Sequence, residues 1–282
     1  MGIERVGVIG AGTMGHGIAQ VAAMAGCEVV LTDASDDALA LALTKVAANL
    51  DKGVARGKVE QATRDAALER LSTGTMADAV AGADLVVEAV PERLQLKQEL
   101  FRQVDGLAPA HALLATNTSS LSVAAIASVV DDPGRVLGMH FFNPVHIMKL
   151  LELIRADDTR EEVVQAAVAF GERIGKQVIV VRDRPGFATS RLGVCLGMEA
   201  IRMLEQGVAS AEDIDAAMVL GYRHPVGPLK LTDMVGLDVR MAIGDYLARE
   251  LGNPAFEPPE LMRRMVEEGK LGKKTGQGFY SW

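Results

Sequence analysis

Short apolar runs rich in Val, Ile and Leu alternate, through the first half of the chain, with longer segments whose apolar residues recur at helical spacing. The runs near Val6–Ile9, Glu28–Leu31, Leu85–Val90 and Leu113–Thr116 predict strands, and the Ala- and Leu-rich stretches between them predict helices. That alternation predicts a parallel, doubly wound sheet. Further strands are expected at Val136–Phe142, Leu150–Ile154 and Val178–Val181, with Thr159 as the cap and Glu161 and Glu162 as the first turn of an intervening helix. From Phe187 onward the sheet pattern stops. The chain then reads as helices broken by Pro225, Pro228, Pro254 and the Pro258-Pro259 pair, and Ser210 with Asp213 resembles a capping box. The composition changes near Asp183-Arg184-Pro185-Gly186, which divides the chain into an α/β domain over 1–184 and a smaller all-helical domain over 185–282.

Composition narrows the partners. A chain of 282 residues is long enough for two domains sharing a cleft. Its formal net charge of -8 argues against a nucleic-acid surface, which needs clustered Lys and Arg, and means that any anionic ligand must find a local basic patch. The two cysteines, Cys27 and Cys195, lie far apart without redox or metal-ligand spacing, so they read as buried thiols, with neither a disulfide framework nor a zinc site expected. The N-terminus runs directly into a strand pattern, and no apolar run is long enough to span a membrane. The expectation is a soluble protein of a reducing cytoplasm.

Candidate chemistry begins at Gly10-Ala11-Gly12-Thr13-Met14-Gly15, which follows a strand and opens a helix running through Ile18, Val21 and Met24. In a dinucleotide-binding turn Gly10 permits the tight bend, Gly12 lets a pyrophosphate approach the backbone, and Gly15 lets helix pack closely on strand. Thr13 and Met14 then belong to the cofactor contacts, and the helix N-terminus offers N–H groups to the phosphates. Asp33 ends the second strand 18 residues beyond Gly15, near the roughly 20 expected of the acid that binds the adenosine ribose. A carboxylate there accepts from a free 2'-hydroxyl and repels a 2'-phosphate, and residues 34 to 37, Ala-Ser-Asp-Asp, offer no Arg, so NAD is favoured over NADP.

An acid-base group is sought among five histidines. His16 lies in the cofactor helix, His111 in a loop and His224 before Pro225. His140 differs, because it falls near the end of the strand that leads into Asn143-Pro144, and ligand crevices form at the carboxyl ends of such strands. On pattern alone a buried histidine satisfied by backbone is an equal reading. Glu152, an isolated carboxylate inside Leu150-Leu151-Glu152-Leu153-Ile154, needs a partner if buried, and His140 is the nearest candidate; an exposed face of an edge strand is the alternative. If paired, Glu152 fixes the imidazole tautomer and stabilises the imidazolium.

These residues resemble those of the L-3-hydroxyacyl-coenzyme A dehydrogenases, including the bacterial 3-hydroxybutyryl-coenzyme A dehydrogenases. The resemblance covers essentially the whole chain and rests on several motifs besides the glycine turn: Val87-Glu88-Ala89-Val90-Pro91-Glu92 followed by Lys97, Asn117-Thr118-Ser119-Ser120, His140-Phe141-Phe142-Asn143-Pro144, Pro185-Gly186-Phe187, and the terminal Gly272 to Tyr280. It implies a Rossmann-like domain followed by a helical one, with hydride moving between C3 of an acyl-CoA and NAD. It further implies His140 as base, Glu152 as its partner and Ser119 against substrate and nicotinamide, with Glu92, Lys97, Asn143 and Lys274 around the cofactor. The family often has Asn where this chain has Ser190, so the substrate contact at that position is expected to differ. A homodimer is implied as well.

For the coenzyme A phosphates, Lys45, Lys52 and Arg56 fall on one helix face at separations of 7 and 4, with Lys58 close behind. Arg56 and Lys52 are the expected contacts, although a solvated charged face gives the same pattern. Two rival readings keep the fold: a dehydrogenase of a hydroxy acid or sugar acid without coenzyme A, and a non-enzymatic nucleotide-binding protein.

Overall fold

The computed structural model describes residues 2–282, which form two compact units that divide between Asp183 and Arg184. In the first unit the order is β1 (Arg5–Ile9), α1 (Gly15–Met24), β2 (Glu28–Thr32), α2 (Asp36–Ala55), α3 (Gln61–Arg70), β3 (Leu71–Thr73), α4 (Met76–Val80), β4 (Leu85–Glu88), α5 (Leu94–Leu107), β5 (Leu113–Thr116), α6 (Val123–Ala127), β6 (Val136–Phe141), β7 (Leu150–Arg155), α7 (Glu161–Arg173) and β8 (Gln177–Arg182). The eight strands make one sheet in the order β3-β2-β1-β4-β5-β6-β7-β8. β4, β5 and β6 are buried along their whole length, as central strands of a sheet covered on both faces must be. Each fully enclosed Leu there, such as Leu85 or Leu114, is worth roughly 1.5–3 kcal/mol of burial.

Three features differ from the pattern read off the sequence. β3 is three residues long, with one buried position, and carries no alternation to betray it. β7 runs antiparallel to β6, whereas every other neighbouring pair is parallel. The reason is length: only residues 142–149 separate β6 from β7, too few for the dozen or more residues of a parallel crossover. Thr159 does not cap α7. The cap position is Arg160, and the Thr159 hydroxyl donates instead to the Val136 carbonyl at 2.7 Å and accepts from Ala156 N–H at 3.1 Å, tying β7 to β6.

The second unit contains α8 (Thr189–Glu205), α9 (Ala211–Ala216), α10 (Pro228–Val235), α11 (Leu237–Leu251) and α12 (Glu260–Glu267), with a π-helical segment at Ala217–Gly221. Ser210 caps α9 by accepting from Asp213 N–H. Met198, Ile201, Leu229, Leu237, Leu247 and Met262 form its own core. Two buried carboxylates organise the rest. Asp215 caps α10 through the Leu229 and Lys230 N–H groups and accepts from the Tyr280 hydroxyl, which burial and Asp215 push above its ordinary value. Asp233 accepts from Phe279 N–H, Tyr280 N–H and Trp282 Nε1, each at 2.9 Å, and so holds the C-terminal tail. A Cβ on Gly278 would lie 2.1 Å from the Asp233 carboxylate, which explains the glycine. Cys27 is buried, but Cys195 is only half-buried; both are free.

Candidate active site

The carboxyl ends of β2, β1, β4, β5 and β6 line up along one edge of the first unit's sheet. Asp33 follows β2, the glycine turn follows β1, Glu92 follows β4, Ser119 follows β5, and His140 is the fifth residue of β6. At a spacing of about 4.8 Å per strand, this row spans roughly 19 Å from the Asp33 strand to the His140 strand.

The Asp33 end is shaped for a dinucleotide. Gly10 adopts φ of 102°, which disfavours any residue with a Cβ, and donates its N–H to the Thr32 carbonyl at 2.8 Å. A Cβ on Gly15 would lie 1.6 Å from the Gly10 carbonyl, whereas one on Gly12 would meet nothing within 4 Å. Gly15 therefore serves helix-on-strand contact and Gly12 faces open space. No side chain caps α1, so no side chain of the protein competes with a ligand at its N-terminus. Asp33 accepts from Ala11 N–H at 2.7 Å and Ser35 N–H at 3.0 Å, which fixes its carboxylate and leaves lone pairs for a ligand hydroxyl. Gly10, Gly12, Thr13, Met14 and Asp33 all line a cleft of about 1070 Å³, together with Pro91, Arg93 and Leu96. The residues present fit NAD. Sequence reasoning missed the Thr73-Gly74-Thr75 wall of this cleft, because β3 went unseen.

At the other end, antiparallel pairing sets His140 directly opposite Glu152. Nδ1 of His140 lies 2.9 Å from Oε2 of Glu152, whose side chain is fully enclosed, while that of His140 retains 10% exposure. The imidazole also packs on the Phe142 ring, 4.4 Å between centroids. A carboxylate buried against Nδ1 favours a proton on that nitrogen and fixes the orientation of the ring. Asn143 lies in the exposed turn that follows.

Between these ends stands a charged cluster. Lys97 is fully buried and places Nζ 2.8 and 2.9 Å from the two oxygens of Glu88 and 3.3 Å from Oε2 of Glu92. Glu88 accepts further from the Thr116 hydroxyl and Val90 N–H; burial pushes its carboxyl up, against the pull of these donors. Oε1 of Glu92 accepts from the Thr118 hydroxyl at 2.5 Å, Ser119 N–H at 2.8 Å and the Ser119 hydroxyl at 3.3 Å. Glu88 was not singled out from sequence as a site residue. His146, in the turn after β6, went unnoticed too; burial and then His16 and Lys176 lower its pKa.

Lys45, Lys52, Arg56 and Lys58 are exposed and make no ion pair; α2 ends at Ala55, so Arg56 is its cap residue. Ser190 and Lys274 lie in the second unit. Ser190 is in the first turn of α8, and Lys274 pairs with Asp238 at 2.5 and 2.7 Å. Among the described residues, no helix is long and apolar enough to cross a membrane.

The comparisons agree with this geometry. Residues 5–184 match the family profile described as 3-hydroxyacyl-CoA dehydrogenase, NAD binding domain, and residues 186–282 match the C-terminal domain of the same family. A Mycobacterium tuberculosis 3-hydroxybutyryl-CoA dehydrogenase is 43% identical over 99% of both chains. The human mitochondrial hydroxyacyl-coenzyme A dehydrogenase is 42% identical over 99% of this chain and 91% of its own. The crystal structure of (S)-3-hydroxybutyryl-CoA dehydrogenase from Ralstonia eutropha superposes with a TM-score of 0.95 at 42% identity, covering 99% of each chain. A buried His–Glu pair at the same strand edge as a dinucleotide turn, in a chain matched end to end by both domains of one family, makes this protein a member of the NAD-dependent 3-hydroxyacyl-CoA dehydrogenase family.

Proposed function

We propose that this chain interconverts (S)-3-hydroxyacyl-CoA, with 3-hydroxybutyryl-CoA as the short-chain substrate, and the corresponding 3-ketoacyl-CoA, using His140 as general base. The observation that carries the reading is the enclosed Glu152 carboxylate 2.9 Å from Nδ1 of His140. When bound, NAD accepts the hydride from C3 or returns it. His140 takes the proton of the C3 hydroxyl at Nε2, and Glu152 stabilises the imidazolium that results. Ser119, anchored by Glu92, offers its hydroxyl to the C3 oxygen. Gly10, Gly12, Thr13, Met14 and Asp33 bind the cofactor, and Asn143 joins that set on the strength of the resemblance.

Lys52 and Arg56 are the proposed coenzyme A phosphate contacts, supported by their exposure and freedom from ion pairs. Ser190 is the proposed substrate-side replacement for the family's Asn. A homodimer in the cytoplasm is the proposed state, since the second unit leaves Leu192, Leu220, Met234, Val235 and Val239 exposed.

The test is loss of NADH absorbance on mixing the protein with acetoacetyl-CoA, with His140→Gln in parallel. Turnover that vanishes in the variant supports both substrate class and base. NADH binding without turnover would move the substrate to a hydroxy acid lacking coenzyme A.

A further inference from the structure

The chain carries a net charge of -8, yet one of its cavities is lined by bases and by no acid. It lies in the first unit, where the end of α1, the turn between β6 and β7 and the end of α7 surround about 370 Å³. That volume falls within the range of small-ligand pockets. Its titratable lining residues are His146, Lys149, Arg173 and Lys176. Met24, Ile147 and Ile174 add apolar wall, and Ile147 is 63% exposed.

The protein itself does not neutralise these bases. Of the four, only Arg173 meets a carboxylate among the described residues, Glu4 at 3.0 Å, and it also donates to the Ile3 and Ala25 carbonyls. Lys176 is buried and turns its ammonium to the Val145 carbonyl and, at 2.7 Å, the Met148 carbonyl, which uses two of its three protons. Carbonyl dipoles solvate a cation but leave its charge in place. Lys149 and His146 are exposed, and among the described residues their side chains have no hydrogen-bond or ion-pair partner. Burial lowers the pKa of Lys176, and burial followed by His16 and Lys176 lowers that of His146, with no carboxylate opposing either shift. Positive charge is therefore concentrated in a concave site for which the chain supplies no counter-ion.

We infer that this cavity binds a short-chain carboxylate, its charged end held by Lys149, His146 and the third proton of Lys176, and its hydrocarbon laid against Met24, Ile147 and Ile174. Cationic donors select an anion through charge-assisted hydrogen bonds. The apolar wall beside them distinguishes an acyl chain from an inorganic anion, because only the chain gains by leaving water. The site shares no lining residue with the dinucleotide cleft. The inference goes beyond the proposed reaction and does not depend on it.

The experiment titrates hexanoate into the full chain saturated with NAD, by calorimetry and by shift of the melting curve, with hexanol and inorganic phosphate as separate probes. The expected result is one hexanoate site whose affinity falls about tenfold or more in Lys149→Gln and further when His146→Ala is added. Both side chains are exposed, so these variants leave the core untouched. Hexanol and phosphate should each bind at least about tenfold more weakly than hexanoate, and acetoacetyl-CoA should leave hexanoate binding in place. No hexanoate binding by either method overturns the inference, as does binding that the double variant leaves unchanged. Competition with acetoacetyl-CoA would place the carboxylate in the substrate cleft instead. Phosphate binding as tightly as hexanoate would remove the acyl chain from the assignment, and hexanol binding as tightly would remove the anion; either result defeats it.

Discussion

A buried His–Glu hydrogen-bonded pair and a buried Lys–Glu ion pair stand in the same unit, and they differ in how far they are closed off. His140–Glu152 keeps one face of the imidazole accessible, with the carboxylate wholly enclosed behind it. Glu88–Lys97 is closed on both sides, and Glu88 accepts further from Thr116 and Val90. Loss of the Lys97 proton would leave an uncompensated Glu88 charge in the interior, so the charge of that pair serves geometry. Accessibility of one partner is what separates the pair proposed to do chemistry from the pair closed off from solvent.

Four substitutions sharpen or break this contrast. His140→Gln should lower turnover by about 10²–10⁴-fold, measured with 3-hydroxybutyryl-CoA and NAD, while the melting curve stays near wild type. A collapse of the fold instead would mean that the two pairs are alike. Lys97→Met alone should destabilise the protein by about 3–5 kcal/mol, seen as an earlier urea midpoint, because Glu88 is left buried without its cation; the neutral double variant Glu88→Gln/Lys97→Met should recover most of that loss. A stable Lys97→Met would show that Glu88 takes up a proton at little cost.

Glu152→Gln keeps a hydrogen-bond acceptor but removes the charge. It should forfeit about 1.5–3 kcal/mol, roughly ten- to a hundredfold in the rate of oxidation, measured with 3-hydroxybutyryl-CoA at saturating NAD. Phe142→Ala removes the ring that packs on His140 and should cost about 0.5–1.5 kcal/mol beyond its lost burial, read as a modest drop in turnover and melting temperature. If Phe142→Ala matched His140→Gln in effect, the orientation of the imidazole would depend on the ring more than on Glu152.

The asymmetry between the pairs also governs what could be read in advance. Glu152 stood out because a single charge interrupts Leu150-Leu151 and Leu153-Ile154, and a carboxylate in an apolar strand demands a partner. Glu88 ends a strand, beside a turn, where an acid is unremarkable. Lys97 sits in α5 among Gln95, Gln98 and Glu99, in a stretch that looks like a solvated face. Only the contacts turn it inward. Thr159 misled for a related reason: its place before two glutamates suits a cap, but the Val136 carbonyl is within reach of its hydroxyl and wins.

By itself the sequence determined the alternation of strands and helices, the glycine turn with Asp33 behind it, the helical second half and the catalytic candidates, because periodicity, turn chemistry and isolated charges are local properties of the chain. The tertiary structure alone decided the antiparallel return of β7, which faces Glu152 toward His140, and the enclosure of Lys97 between Glu88 and Glu92. Those depend on connection length and on which side chains meet across strands, and a register is a relation between segments that neither segment carries alone.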